Sequence, residues 1–211
     1  MKRIAFIALA AGAIVATGAP QADAKTEHPA LAPFHAIRIA GVARLEFVEA
    51  PRQSVSVTAR PAVLKRLRLT VVAGVLNVRT DNVTVFGGDD KVVLTVTAPR
   101  LDRVDVGGVA SGTLRGLSGA SFALRIAGAG SITVAGSVTK ALLSVSGTGS
   151  INASRLITDD LVVDISGAGS LRGHANHAAY VSVSGVGSAT IAGNPPVRDV
   201  AESGVGSVTF D

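Results

Sequence analysis

Cysteine and tryptophan are absent from the 211 residues, and aromatic residues make up only 3%. No disulfide can staple this chain, so it must hold together by extensive burial or by a continuous hydrogen-bonded stack. Long apolar runs are also missing. The one candidate, Ile4 to Val15, follows Lys2 and Arg3 and precedes Ala22-Asp23-Ala24. It falls short of the roughly 18 to 20 residues that cross a bilayer, and it has the layout of an export signal cleaved near Ala24. Residues 1–24 are therefore expected to be removed. The mature chain is expected in the periplasm, in the medium or at the cell surface, with no membrane span and no cysteine for lipid attachment.

The basic excess is confined to the first part of the mature chain. Residues 25–103 carry 12 Lys/Arg against 7 Asp/Glu, whereas residues 104–211 carry 6 against 7. Arg60, Lys65, Arg66 and Arg68 form the densest basic cluster. No aromatic residue interleaves with it, so it reads as a solvated face and not as a nucleic-acid site. No segment carries a helical period beyond the signal. Val, Ile, Leu and Ala instead recur at every second position, with Gly, Ser and Thr between them, which is the period of strands.

Internal repetition is the strongest feature present. The stretches LRIAGAGSITVAG, LSVSGTGSINAS, VDISGAGSLRG, VSVSGVGSATIAG and VAESGVGSVTFD align on a Gly-x-Gly-Ser core, and VDVGGVASGTL is a degenerate first copy. The leading glycines, Gly108, Gly128, Gly147, Gly167, Gly185 and Gly204, are spaced 20, 19, 20, 18 and 19 residues apart. The second glycines are Gly130, Gly149, Gly169, Gly187 and Gly206, followed by Ser131, Ser150, Ser170, Ser188 and Ser207. A period of 19 to 20 residues predicts an all-β solenoid, taken as a right-handed β-helix, with one copy per coil. The glycines are expected at the bend of each coil, where they allow unusual backbone angles and close approach between coils.

The flanking columns fit this stacking. Val104, Leu124, Leu143, Val163, Val181 and Val200 stand four residues before the leading glycine, and Val106, Ile126, Val145, Ile165 and Val183 two before it. Ile132, Ile151, Leu171, Ala189 and Val208 follow it by four. All of these are expected to point inward. Glu202 breaks its column in the last copy and reads as a polar end cap. Asp105 and Arg125 share an outward column and are expected to form an exposed pair. The serines read as turn and spacing chemistry, with a stacked hydroxyl ladder as the alternative.

Residues 25–103 keep the alternation without the glycine pair, in FHAIRIAG, VARLEFVEA, QSVSVTAR, RLRLTVVAGVLNVRT and KVVLTVTAP. They read as an antiparallel sheet or as irregular coils continuous with the solenoid of residues 104–211. No linker of biased composition divides the two parts. The sequence FHAIRIAGVARLEF, then SVSVTARPAVLKRLRLTVVAGVLNVRT, VVLTVTAPRLDRVDVGG and the recurring SGxGS copies together resemble the head GIN domain of auto-transporter adhesins. Ala110 and Ala127 depart from the repeat. The resemblance implies an exported, β-helix-like domain in two stacked parts. It supplies no catalytic residues.

Chemistry-bearing patterns are few. His174 and His177 have a metal-compatible spacing but read as exposed loop residues. Asp159 and Asp160 should face opposite ways on a strand. Phe86 to Asp90 reads as a hairpin turn, and Gly-x-Gly before serine has no following helix to bind phosphate. No catalytic, cofactor or metal set is assigned. The expectation is a non-enzymatic binding or structural module that presents a Ser/Gly-rich face to a glycan, an envelope component or another copy of itself. The alternative is a polysaccharide lyase or hydrolase using scattered acids such as Asp164.

Overall fold

The computed structural model describes residues 24–80 and 92–211. The expected export signal as far as Asp23 and the Phe86 to Asp90 turn lie outside the described residues. The first part contains β1 (Lys25–Glu27), β2 (Ala36–Ile39), β3 (Val42–Glu49), β4 (Ser54–Ala59), α1 (Pro61–Leu64), β5 (Leu67–Val72), β6 (Val75–Thr80), β7 (Val93–Ala98) and β8 (Arg103–Val106). Then follow β9 (Val109–Ile126), β10 (Ala129–Val145), β11 (Thr148–Ile165), β12 (Ala168–His174), β13 (Ala178–Val183), β14 (Val186–Ala192), β15 (Val197–Glu202) and β16 (Val205–Phe210).

These strands build a β-solenoid of about five turns. Two long ladders run its length. The first passes through β5, β6, β2, β8, the ends of β9, β10 and β11, then β13 and β15. The second passes through β1, β4, β7, β3, the starts of β9, β10 and β11, then β12, β14 and β16. All pairings from β6 and β7 onward are parallel. Between the ladders, β9 turns at Gly116 and Gly119, whose φ angles of +73° and +119° lie where side chains are disfavoured. A shorter third ladder there pairs Leu117 and Ser118 with Gly136 and Ser137, and those in turn with Leu156 and Ile157.

The inward columns form as the alternation requires. Ile37, Val104, Leu124, Leu143, Val163 and Val181 stack in register and are buried, as are Ile39, Val106, Ile126, Val145, Ile165 and Val183. On the second ladder Leu45, Ile132, Ile151, Leu171 and Ala189 are buried in the equivalent column. Burying a Val, Leu or Ile side chain is worth about 1.5 to 3 kcal/mol. Repeated along continuous columns, and joined by buried Phe34, Phe47 and Phe122, that burial takes the place of disulfides as the source of cohesion.

The first part contributes to the same stack out of chain order. Residues 36–49, as β2 and β3, lie between the coil made by β6 and β7 and the coil opened by β8 and β9. Ile37, Ile39 and Gly41 thus occupy the places of Val104, Val106 and Gly108. The segment IRIAGVARLEF is a further copy of the repeat, 67 residues from its neighbour by the contact of Arg38 with Asp105. Sequence spacing does not disclose it, because its neighbour lies outside the 19 to 20-residue period and Ala43, like Ala110, replaces the second glycine. An alignment on the leading glycine alone would have found it.

The antiparallel sheet expected of the first part exists only at its margin, where β5 pairs β6, β4 pairs β7 and β1 pairs β4. The one-turn helix α1 is a departure from the all-strand expectation. Pro61 begins it with a backbone angle already helical, and Val63 is buried in the core. Gln53 ties down the chain before β2, accepting from the Phe34 N–H at 3.1 Å and donating to the carbonyls of Leu31 and Ala32.

Candidate binding surface

The repeat glycines line one corner of the solenoid. At each turn one carbonyl accepts two consecutive N–H groups from the next coil. Val106 O takes those of Ala127 and Gly128 at 2.8 and 3.1 Å, and Ile126 O takes those of Ser146 and Gly147 at 2.9 and 3.2 Å. The glycine carbonyl then accepts from the residue after the next glycine, as Gly128 O does from Thr148 at 2.9 Å. This pattern recurs up to Gly204. Ala127 fits it as well as serine does, because the bond uses only its backbone.

A Cβ on Gly128, Gly147, Gly167, Gly185 or Gly204 would lie 1.9 to 2.0 Å from the carbonyl oxygen of the glycine one coil earlier, and one on Gly108 would lie 2.1 Å from Gly41 O. None of these residues is in the left-handed region. Close approach between coils, and not unusual backbone angle, is therefore the reason for glycine here. The second column is similar: Gly130, Gly149, Gly169, Gly187 and Gly206 each face a carbonyl at 2.1 to 2.5 Å. Ala110 and Ala43 occupy it in the first coils and keep the register.

Ser111, Ser131, Ser150, Ser170, Ser188 and Ser207 stack in register on the outside of the second ladder. Among them one side-chain rung is formed, Ser150 Oγ donating to Ser131 Oγ at 3.0 Å. Thr113, Thr133 and Asn152 continue the polar surface in a parallel column. Most of this face is made of short uncharged side chains; the threonine column also carries Arg172, and Arg44 and Glu46 stand at the N-terminal margin of the two columns.

The titratable groups are dispersed. His174 Nε2 meets Asn176 Oδ1 at 3.1 Å, whereas His177 Nδ1 meets Asp160 Oδ1 at 3.0 Å, so the two imidazoles take separate partners. No group of three or more metal-ligating side chains occurs among the described residues. The His177 hydrogen bond holds the Asp160 carboxyl below its ordinary value, desolvation opposes this, and the Lys140 ammonium at 3.7 Å assists it. Asp159 and Asp160 do not point to opposite faces as expected. Thr158 and Leu161 are the buried positions, three residues apart, so the strand bends and leaves both carboxylates outside.

Asp105 and Arg125 are register neighbours, as expected from their column, but they do not form the expected ion pair. Asp105 is instead paired with Arg38 at 3.5 Å and Arg103 at 3.3 Å. The sequence could not show this, because β2 reaches Asp105 only through the out-of-order coil. Asp164 stands exposed between Ser144 and Ser182, without a second carboxylate in either register position. In the basic cluster, Arg60, Arg66 and Arg68 are engaged with partners. Glu202 is exposed at the uncovered face of the last coil, where Arg198 lies 4.6 Å from the centre of the Phe210 ring. No helix among the described residues is long and apolar enough to cross a membrane.

Residues 33–195 match the family described as "Putative auto-transporter adhesin, head GIN domain", and the chain belongs to that family. Among solved structures, an adhesin of Bacteroides fragilis, titled putative, is 18% identical, with a TM-score of 0.73 over 91% of this chain and 99% of that one. A "putative lipid binding protein" of Parabacteroides distasonis is 16% identical, with a TM-score of 0.50 over 90% of this chain and 98% of that one. At such identities the likeness establishes the fold alone. No curated protein matches this chain.

Proposed function

We propose that the protein is an exported, non-enzymatic module of the adhesin type, which presents the serine and threonine columns of its second ladder to a glycan, a cell-envelope component or a partner protein. The observation that carries this reading is the division of labour within the repeat. Its glycines are used up by contact between coils, while its outward positions on the second ladder form an array of hydroxyls interrupted by Asn152 and Arg172. Family membership supports the adhesin-like reading. The alternative, a polysaccharide lyase or hydrolase, needs a groove with clustered acids; the acid considered for it, Asp164, has serines at both register positions and shares a cleft of about 290 Å³ with one other carboxylate, Asp199. Export rests on the pattern of residues 1–24 and is tested by N-terminal sequencing of the protein recovered outside the cytoplasm.

The test of the module is binding without turnover. Full-length protein applied to a glycan array should retain specific ligands, and Ser131→Lys with Ser150→Lys should remove them while the fold persists. Incubation with pectin, alginate and other uronic polymers should release no reducing or unsaturated ends. Turnover that is lost in Asp164→Ala would overturn the proposal. A second kind of partner, another copy of this chain, is favoured by Val200 and Val205, exposed at 42% and 76% on the uncovered last coil. Sedimentation over a concentration series tests it directly.

A further inference from the structure

We propose a second binding site, distinct from the serine face: an arginine-lined trough on the outside of the first ladder that takes an acidic polysaccharide. The topology creates it. The out-of-order coil places β2 between β6 and β8, so Asn77, Arg38, Asp105 and Arg125 fall into one column across four adjacent strands. Thr70 extends that column onto β5, and Arg79 lies two residues beyond Asn77. Ala40, Gly107 and Ala127 flank the arginines with almost no side-chain bulk and leave the floor open. Two clefts result, of about 500 and 310 Å³, and they share Arg38 and Ala40.

The charge balance along the trough is positive. Arg38 and Arg103 share the single carboxylate of Asp105, at 3.5 and 3.3 Å, which fixes both guanidinium groups while neutralising only one charge. Neither Arg79 nor Arg125 has a carboxylate partner among the described residues. Adjacent strands are about 4.8 Å apart, so the column from β6 to β9 spans about 14 Å. A row of cations of that length, open at both ends, suits an extended polymer with repeated anionic groups better than one compact anion. Guanidinium groups bind carboxylate and sulfate through paired N–H donors. Thr70 and Asn77 add short polar groups at the level of sugar hydroxyls. No aromatic side chain enters the lining, which disfavours a nucleic acid, whose bases would need a stacking platform.

Calorimetric titration of the full chain with size-defined oligogalacturonate and heparin fragments tests this, with neutral dextran and an oligothymidylate as comparisons. The two acidic sugars separate carboxylate from sulfate as the recognised group. At least one should bind with an affinity that falls as salt is raised, and dextran should not bind. Arg125→Ala should weaken binding roughly tenfold, as expected for loss of one charge-assisted contact. Arg125 has no ion pair to lose, so its replacement should leave the melting temperature unchanged. Arg38→Ala should add to the loss, and Arg155→Ala, exposed on β11 away from both faces, should change nothing.

The proposal is overturned if neither acidic sugar binds at low salt, if Arg125→Ala and Arg38→Ala leave binding unchanged, or if the oligothymidylate binds as tightly as the sugars. The same samples should be assayed for reducing ends. Cleavage with binding intact would overturn the non-enzymatic reading but not the trough, whereas a parent protein that binds serine-face ligands but neither acidic sugar would overturn the trough alone.

Discussion

At the N-terminal end of the stack, β4 and β5 turn back antiparallel on β7 and β6, and α1 lays Val63 into the core. At the other end, β15 and β16 continue the parallel ladders, and the inward-column residues Val200 and Glu202 stand exposed. The difference shows two ways in which an outer coil can be presented. A parallel coil always presents another parallel edge, whereas an antiparallel return needs only a short connection and brings new side chains over the last core layer. The first end spends irregular sequence on this closure. The other remains recognisably one more repeat.

The comparison can be broken most severely at the corner. Gly147→Val should unfold the protein or cost about 3 kcal/mol or more, because its Cβ would meet Gly128 O at 1.9 Å. Gly41→Ala, near the irregular end, should cost less than Gly147→Ala: of its close atoms Thr80 Oγ1 at 2.2 Å can rotate away and Thr80 Cβ and N stand at 2.9 Å, whereas a Cβ on Gly147 meets only backbone, at 1.9 to 2.8 Å. Thermal melts of the three variants rank them. Equal losses for Gly41→Ala and Gly147→Ala would remove the distinction between the irregular end and the regular coils.

A smaller effect is expected in the core columns. Leu124→Ala, in the fully covered middle, should cost about 2 to 5 kcal/mol, and Val200→Ala, 42% exposed on the last coil, under about 1 kcal/mol. Denaturant unfolding measures both. Hydrogen exchange should show the same gradient, with β15 and β16 opening at lower free energy than β9 to β11. Val186→Ala, at an outward corner position 61% exposed, should fall within about 0.5 kcal/mol of the parent.

The smallest effect concerns pH. The Asp160 carboxyl titrates below its unfolded value of 3.8, mainly through the His177 hydrogen bond. Its contribution to stability is present above that value and is lost as the pH falls through the lower, folded one. Urea midpoints measured from pH 5 to pH 2.5 should therefore fall less steeply in Asp160→Asn than in the parent.

The spacing of Gly108 to Gly204 and the alternation of Val, Ile and Leu disclosed the repeat, the inward columns and the serine column, because in a solenoid every contact repeats one period away. The coil of Ile37 to Phe47 was not legible in this way. Its neighbours in space are far apart in the chain, and its second glycine is replaced by Ala43. The purpose of the glycines was only half legible: sequence marks where they recur but cannot separate backbone angle from a carbonyl 2 Å away.

For the same reason the pairing of Asp105 with Arg38 and Arg103, and the row of Arg79, Arg38 and Arg125, were hidden. Local period determined by itself that this chain is a stack of β coils. The order in which distant strands enter the stack was decided only in three dimensions, because it depends on which core layers they bury and which edges they cover.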